Sequence, residues 1–582
     1  MNSDDRFNKE FLMTKRIQLV RVVILALSFV LLSALSYYQI FFRSEYVILA
    51  RNNRLRSVRI GAPRGDIYDH NGNPLALNVI MFDIKCYPNI LLKDDNMKRI
   101  AETLTRCGIA LTEKDIEENM RKQYTTLYSA ITVAKNLTFA HVAEIISDES
   151  INSLVFPVRA WKRTYPAGKF AVHVVGYVGE ISDKELAKRQ GTNYRGGDMI
   201  GKNGIESVYE DDLFGVPGEE VIEVDARGRK VKDVVYDEPS KGNDIFLTID
   251  LEAQKYAAEL LGNFRGAVVA MDVTDGSILV LYSSPSYDPN SLTWGITQKD
   301  WLAMSDHVER PMMNRAISGA YPPASTFKAI MGSALLEKSV ADTYSQIYCR
   351  GYYELGGTKF KCWKHSGHGT ENIFRALSDS CDVYFYTLAH RAGINILTDV
   401  ASQFGVGEKT GIDLTSESSG TLPTPKWKKR ILKESWYGGD TVNFSIGQGY
   451  VLMTPLQVLR AYAAIANGGN LVTPYIKQGE KKPLKSLGIS QGTLETIKKG
   501  LYAVTHGGTG TRANAFGVDV SGKTGTAQNS HGADHAWFVG FAPSNQPKYA
   551  VVVIAEAGEH GSSVSGPIVG KVLSYLITGQ KH

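Results

Sequence analysis

The amino-acid sequence predicts an α+β protein with three parts: one N-terminal membrane-crossing helix, a membrane-proximal α+β region, and a C-terminal domain whose helices flank an antiparallel five-stranded sheet. Three observations carry this. Residues 22–42 form one apolar run, broken only by Gln39 and a few serines, long enough to cross a bilayer as a helix. Residues 266–282 and 518–556 carry strand patterns, two near the start of the C-terminal part and three near its end, and the stretch between them reads mostly as helix. At 582 residues the chain exceeds one ordinary domain, and size alone suggests about three or four units.

Composition narrows the class. A hydrophobic content of 43% is that of a folded protein, and a net charge of +5 on 65 basic and 60 acidic residues, with no Lys/Arg run, speaks against a nucleic-acid partner. Five cysteines, Cys86, Cys107, Cys349, Cys362 and Cys381, are few and odd in number and make no disulfide scaffold. The apolar run exceeds the ~7–15 residue core of a signal peptide and ends without a small-x-small site, which favours an uncleaved anchor. Basic residues flank it on both sides, from Arg6 to Arg21 and from Arg43 to Arg59. Long domains are translocated largely regardless of such charges, so residues 1–21 are expected in the cytoplasm and the bulk of the chain outside it.

Behind the anchor, residues 43–235 are expected to form the membrane-proximal part. Residues 62–72 read as a short strand entering an Asn71-Gly72 turn. Residues 93–153 change character, with amphipathic periods at 98–104, 113–123 and 139–146, and are expected to be a helical insertion. Strand and turn signals return at 163–166 and 173–179. Residues 201–206 open a short helix ending near Phe214, and 221–235 read as a hairpin about an Arg227-Gly228 turn. The polar stretch 236–243 is the expected linker to a domain of residues 244–582. In that domain 244–249 is a strand, 252–261 a helix, and 266–272 with 276–282 a hairpin around Asp275-Gly276. Residues 518–528, 536–542 and 548–556 give the other three strands, and the last segment, from Ile568 to Ile577, is helical in period.

One stretch carries chemistry. In Tyr321-Pro322-Pro323-Ala324-Ser325-Thr326-Phe327-Lys328 the prolines forbid helix and the following residues begin one, with apolar positions at Phe327, Ile330, Met331, Ala334 and Leu335. Lys328 then lies one turn after Ser325 on the same face, within reach of its hydroxyl. A serine needs a base to become a nucleophile, and a lysine in a water-poor site can act as one. Alone, Ser-x-x-Lys reads equally as a helix N-cap with a solvated lysine. Its partners decide. Ser380-Cys381-Asp382 follows in the helical middle, and Lys523-Thr524-Gly525-Thr526 lies in the first C-terminal strand, where the glycine leaves the strand open to another backbone and Lys523 with two threonines suits a carboxylate. The order Ser-x-x-Lys, Ser-x-Asp, Lys-Thr-Gly makes chance improbable.

From Pro63 onward the sequence resembles a class B penicillin-binding protein, a membrane-anchored peptidoglycan D,D-transpeptidase, and within that class the penicillin-binding protein 2 or elongation branch. The likeness rests on Arg64-Gly65-Asp66-Ile67-Tyr68-Asp69, residues 201–206, Asn314-Arg315-Ala316, 321–328, 410–414, Ser445-Ile446-Gly447-Gln448-Gly449, 523–526 and 537–543. It implies that the membrane-proximal part is a pedestal or dimerisation domain and that Ser325 attacks the penultimate D-alanine of a stem peptide while Lys328 takes its proton. It also implies that Ser325 and Thr526 N–H groups form an oxyanion hole, that Ser380 and Lys523 relay a proton, and that Thr524, Gly525 and Thr526 hold the terminal carboxylate. β-Lactams would acylate Ser325, and the implied partners are a polytopic glycan polymerase and other elongation-machinery membrane proteins. Two departures stand out. Ala324 replaces the family's usual glycine, so the turn before Ser325 is expected to have negative φ. Asp382 replaces the commoner asparagine, and this marks the penicillin-binding protein 2 branch. The competing readings are a division- or sporulation-type transpeptidase, a carboxypeptidase or β-lactamase, and a β-lactam sensor or wall-synthesis scaffold.

Cys349, Cys362, His368 and Cys381 gather ahead of and inside the second motif. Thiolate and imidazole ligands in a set of four suit a tetrahedral structural zinc, and some elongation-type relatives carry zinc at the matching place; the acyl-transfer chemistry itself requires no cofactor. A Cys349–Cys362 disulfide with Cys381 as a small buried residue fits as well. Cys86 and Cys107 are expected to be free or paired with each other. His531, Asp534 and His535 form a loop near Lys523.

Overall fold

The computed structural model describes residues 3–124, 126–127, 129–224, 230–293, 296, 298–529 and 532–582. The expected Arg227-Gly228 turn and His531 lie outside the described residues. Two compact units are present, one made of residues 1–61, 81–160 and 217–240 and the other of residues 62–80, 161–216 and 241–582.

In the first unit one helix, Ser3–Phe41, contains the apolar run and starts well before residue 22, since nothing in the polar stretch ahead of it breaks a helix. Its portion Met13–Phe41 is 29 residues, about 43 Å at 1.5 Å per residue, more than the ~30 Å hydrocarbon thickness of a bilayer. A second helix, Arg43–Arg54, leads to strand Leu55–Ile60, which pairs with Gly218–Val224, itself paired with Lys230–Asp237. Tyr236 and Asp237, expected in a linker, are the end of that strand, because Val234, Val235 and Tyr236 prolong the β-prone run. The insertion at 93–153 is not wholly helical. Helices Asn96–Arg106, Glu113–Gln123 and Phe139–Ser147 form where the periodicity predicts, but Ile131–Leu137 is a strand paired with residues 82–86. Its β-branched Ile131, Thr132 and Val133 prefer the pleated sheet, and Ile131 and Val133 enter the core with Ile84, Ile100, Leu104, Ile116 and Ile145.

The second unit takes in residues 62–80 and 161–216, so the expected single domain of residues 43–235 is divided between the two. Strand Ile67–Tyr68 runs parallel to Ile245–Phe246, the short remnant of the longer strand expected at 244–249. Val172–Val175 is a helical turn where strand signals were expected; Gly176 ends it at φ +81°, and a Cβ there would lie 2.0 Å from the Asn203 carbonyl oxygen. A buried charge cluster ties these pieces together. Arg64 donates to Glu206 at 2.8 Å and to Glu210 at 2.8 Å, Arg163 Nε donates to Glu206 at 2.6 Å, and the Tyr165 hydroxyl donates to Glu206 at 3.2 Å. Burial alone would push Glu206 up, but Arg163 and Arg64 outweigh it and hold its carboxyl below the usual range.

The rest of this unit is built on one antiparallel sheet of β1 (Gly266–Asp272), β2 (Ile278–Ser284), β3 (Ser521–Ala527), β4 (His535–Ala542) and β5 (Tyr549–Ala555), in the order β2-β1-β5-β4-β3. Strand alternation sends Val268, Val280, Phe538, Val551 and Val553 to one face, where helices Leu251–Leu261 and Ser565–Thr578 cover them. Val269, Leu281, Trp537, Val539, Val552 and Ile554 face the helical middle, including Lys328–Glu337 and Pro455–Ala466. The strand β3, which carries Lys523, ends the order and pairs only with β4.

Removing the carboxylate that two buried guanidinium groups share tests the cluster at Arg64. Glu206→Ala is expected to cost about 3–5 kcal/mol, because uncompensated buried charge remains, and Glu206→Gln to cost less. Urea unfolding of the detergent-solubilised chain measures both.

Candidate active site

The nucleophile motif is held from its backbone. Tyr321 and Met453 exchange both main-chain hydrogen bonds, at 3.0 and 2.8 Å, the Ala324 N–H donates to the Gly447 carbonyl at 2.9 Å, and the Tyr462 hydroxyl donates to the Thr326 carbonyl at 2.7 Å. Gly447 admits this approach only as glycine, since a Cβ there would lie 2.3 Å from the Ala324 oxygen. Ala324 does not have the expected negative φ. It sits at +50°, a left-handed conformation that costs an L-residue about 1–2 kcal/mol and is imposed by the bond to Gly447. Residues Ala324–Phe327 then form a 3₁₀ turn that passes into helix Lys328–Glu337, and at three residues per turn Ser325 and Lys328 eclipse.

Lys328 is fully buried, and its ammonium has three acceptors: Asp382 Oδ1 at 2.6 Å, the Ser380 carbonyl at 2.8 Å and Ser380 Oγ at 3.3 Å. Sequence spacing predicts that Lys328 reaches Ser325. Among the described residues, however, Lys328 is engaged by the second motif, and no hydrogen bond to the Ser325 hydroxyl is formed. Ser325 is half-buried. Ser380 is not on a plain helix surface; it sits at φ +53° in the turn before helix Asp382–Ala392, so its carbonyl and hydroxyl both turn to Lys328. The second oxygen of Asp382 accepts the Trp363 backbone N–H at 3.0 Å.

Lys523, on β3, is also fully buried. Burial, then the charge of Lys328, push its ammonium well below the usual lysine range, against a smaller opposing pull from Asp382. Lys523 Nζ approaches the Thr524 carbonyl at 3.3 Å and its hydroxyl at 3.4 Å, and Thr509 Oγ1 lies 3.2 Å from Thr524 Oγ1. Gly525 passes close to the nucleophile turn, where an added Cβ would lie 3.1 Å from Thr326 Cγ2, and the Thr526 side chain is exposed. Three separate segments therefore meet in one pocket: Ser325 and Lys328, Ser380 and Asp382, and Lys523 with its threonines.

Cys349, Cys362, His368 and Cys381 also come together, their ligand atoms all within 4.8 Å of one another. The Cys349 and Cys362 sulfurs lie 3.6 and 3.5 Å from His368 Nδ1, against an edge of about 3.5 Å for a tetrahedron with zinc–sulfur and zinc–nitrogen bonds of about 2.3 and 2.0 Å. The Cys381 thiol is hydrogen-bonded to Cys362, which pulls Cys362 down to about 5, in the thiolate range, and pushes Cys381 up. All five cysteines are free, so neither expected pairing is formed. The donor set and its spacing fit zinc.

Three participants escape sequence reasoning. Trp363 and Thr509 hydrogen-bond the motifs from distant positions and have no spacing signal. Glu556, just beyond β5, accepts from Arg315 Nε at 2.8 Å and from the Tyr321 hydroxyl at 2.8 Å, and so braces the segment entering the nucleophile turn. His535 stands at the start of β4, packed edge-on against Tyr321, and Asp534 lies in the loop before it.

Comparison with known proteins agrees with this geometry. The penicillin binding protein transpeptidase domain matches residues 266–574 and the penicillin-binding protein dimerisation domain residues 59–247. The peptidoglycan D,D-transpeptidase MrdA of Acinetobacter baumannii is 35% identical over 97% of this chain and 87% of its own. The solved complex of penicillin-binding protein PBP2 with MreC from Helicobacter pylori matches with a TM-score of 0.81 at 32% identity, over 90% of this chain and 100% of that one. A solved peptidoglycan synthase complex that coordinates polymerization and crosslinking matches with a TM-score of 0.71 at 26% identity, over 97% and 99%. With full-length relatives of this kind and both domains matched, the chain belongs to the class B penicillin-binding proteins, in the penicillin-binding protein 2 branch, and is a peptidoglycan D,D-transpeptidase.

Proposed function

We propose that this transpeptidase cross-links stem peptides during cell elongation through an acyl-enzyme on Ser325, from the outer side of the cytoplasmic membrane. The observation that carries the reading is the pair of fully buried lysines, Lys328 and Lys523, set beside Asp382 in one pocket with the serine one turn from Lys328. Ser325 Oγ attacks the penultimate D-alanine carbonyl carbon, the bond to the terminal D-alanine nitrogen breaks, and the serine proton passes through Lys328 to that departing amine. Donors from the Ser325 and Thr526 N–H groups meet the developing oxyanion. The amine of a second stem peptide then attacks the ester, the cross-link forms, and Ser325 regains its proton. β-Lactams acylate the same serine.

The resting arrangement gives Lys523 a role. Lys328 is ion-paired to Asp382, whereas burial and the charge of Lys328 push the Lys523 ammonium well below the usual lysine range and so favour its neutral form. A substrate carboxylate arriving at Thr524 and Thr526 reverses that balance, because opposite charge nearby favours the ammonium. Lys523 takes up a proton as the carboxylate docks, through Ser380, and Lys328 is freed to act as base. The division- and sporulation-type readings are less well supported than elongation, given relatives named MrdA.

The Cys349, Cys362, His368 and Cys381 set would hold a zinc ion; with four protein ligands the ion would supply rigidity and no reactive water. The apolar helix serves as a single-pass anchor with the catalytic unit extracytoplasmic. The partners are a polytopic glycan polymerase and other elongation-machinery proteins, supported by the relative solved with MreC and by the synthase complex.

Intact mass after exposure to a fluorescent penicillin is expected to show one stable adduct that Ser325→Ala abolishes; an adduct surviving in the variant overturns the assignment. Lys523→Arg, which keeps the charge but cannot shed it, is expected to slow acylation about 10²–10⁴-fold. In the natural protein the rate falls as pH drops through the depressed Lys523 value, since a protonated Lys523 has no room for the proton. A rate unchanged by acidification over about pH 9 to 5 excludes that role. Protein purified under reducing conditions is expected to hold about one zinc per chain, lost with Cys362→Ser. Absence of metal with two thiols resistant to alkylation supports the disulfide instead.

A further inference from the structure

Trp363 stands where the cysteine cluster meets the second motif. It follows Cys362 directly, and its ring centroid lies 5.3 Å from that of His368. Its side chain does not belong to the core, for 56% of the residue is exposed, yet both of its N–H donors are spent on catalytic loop atoms. The backbone N–H donates to Asp382 Oδ2 at 3.0 Å, while the indole N–H is shared between the carbonyls of Asp379 at 3.0 Å and Ser380 at 3.1 Å. The Ser380 carbonyl is the same atom that accepts from Lys328 at 2.8 Å, and Oδ1 of the same Asp382 is the Lys328 counter-charge. A large, half-exposed aromatic residue is costly to hold in one orientation, and surface packing alone does not call for three directed bonds.

Those bonds act on the least relaxed part of the site. Ser380 is a non-glycine residue at φ +53°, a conformation that persists only where surrounding contacts enforce it. The peptide after Ser380 is fixed on one side by Lys328 and on the other by the Trp363 indole. Asp382 is likewise pinned at both oxygens, one by Lys328 and one by the Trp363 N–H. Cys362 and Cys381, which precede Trp363 and Asp382 in the chain, face each other in the cluster. The two cluster residues and the two catalytic-loop bonds therefore form adjacent rungs between the same pair of segments.

We propose that Trp363 is a positioning residue for acylation: its two N–H groups hold the left-handed Ser380 peptide and the free oxygen of Asp382, and through Cys362 they transmit the order of the cysteine–histidine cluster to Lys328. The inference rests on the acyl-enzyme reading for the reaction it tunes. Trp363 touches neither the reacting atoms nor the serine. Its effect is on the precision with which the Lys328 acceptors are placed.

The test separates ring from donor. Trp363→Phe keeps an aromatic face and loses the indole N–H; Trp363→Ala loses both. Stopped-flow acylation of the detergent-solubilised chain by a fluorescent penicillin, at increasing concentration, splits the binding constant from the acylation rate constant. Both variants are expected to lower the rate constant about 10-fold, as loss of a well-directed hydrogen bond does, with the binding constant and the melting temperature nearly unchanged. A normal rate constant in Trp363→Phe, with weaker binding in Trp363→Ala, overturns the proposal and makes the ring a wall of the cleft. A large fall in melting temperature in both makes the role merely structural and overturns it too. Cys362→Ser and the double variant Cys362→Ser/Trp363→Phe complete a cycle. If the cluster acts through Trp363, the double variant is no slower than the slower single one; if the two effects multiply, the transmission is refuted. Zinc content and tryptophan fluorescence of the four proteins are read alongside. Should the natural protein hold no metal, the zinc reading fails by itself, while a slowed Trp363→Phe still upholds the positioning role; should no variant or parent form an adduct, it is the acyl-enzyme reading that fails.

Discussion

Two lysine side chains buried in one pocket are the constraint on which the catalytic unit depends. Two ammonium groups cannot both stay charged in a site with little water unless an anion accompanies them. Among the described residues Asp382 is the carboxylate bonded to Lys328, and the second lysine, Lys523, has its ammonium pushed well below the usual lysine range. The pocket thus sets a lysine whose neutral form is favoured beside a paired cation. An asparagine at position 382 could still accept from Lys328, but it would bring no charge, and the distribution of protons between the lysines would differ. The departure at Asp382 is therefore a change in the electrostatics of the resting enzyme, with the hydrogen-bond geometry retained.

The fold is arranged so that each of these groups comes from a rigid element. Lys523 lies on a strand paired with its neighbour along its whole length, and that strand ends the sheet order among the described residues, the position to which an extended peptide could add. Ser325 and Lys328 lie on a turn pinned by Met453, Gly447 and Tyr462. Within the catalytic motifs two non-glycine residues are left-handed, Ala324 and Ser380. Each has its φ enforced by a long-range bond, from Gly447 in the first case and from Trp363 and Lys328 in the second. Backbone conformations of this kind aim a carbonyl and a side chain at the same point, which a helix or strand cannot do.

Much of the site could be read from the sequence because its chemistry is local in spacing. Ser325 with Lys328, the Lys523 strand and the four metal-type donors needed only side-chain type and separation, and the five strands needed only β-branched alternation. What failed was set by distant partners. The positive φ of Ala324 follows from a carbonyl more than a hundred positions away, at Gly447, and the natural expectation for alanine was the opposite one. Trp363, Thr509 and Glu556 act by hydrogen bonds to other segments of the chain and carry no periodic signal. The same holds for the strand Ile131–Leu137, whose β-branched run was outweighed by the helical periods around it, and for residues 62–80 and 161–216, drawn into the catalytic unit by the Arg64, Arg163 and Glu206 cluster.

The cysteine cluster answers a problem that the catalytic loop itself creates. Between helix Lys328–Glu337 and the short helix Ile373–Ser378 that precedes helix Asp382–Ala392, the chain makes two small two-stranded pairings, Ile347–Cys349 with Gly369–Glu371 and Tyr352–Leu355 with Thr358–Lys361. Ahead of that short helix few apolar side chains other than the cluster cysteines are buried, and isolated two-stranded elements are marginal in water. Yet this segment supplies Trp363 and delimits Ser380 and Asp382, which must be placed to a fraction of an ångström. A hydrophobic core large enough for that purpose would fill the mouth of the cleft. A cross-link needs little volume, and one metal centre joining Cys349, Cys362, His368 and Cys381 would tie four points of the segment at once, where a disulfide would tie two. With Cys381 standing between Ser380 and Asp382, such a constraint would act where a small displacement reaches Lys328 directly.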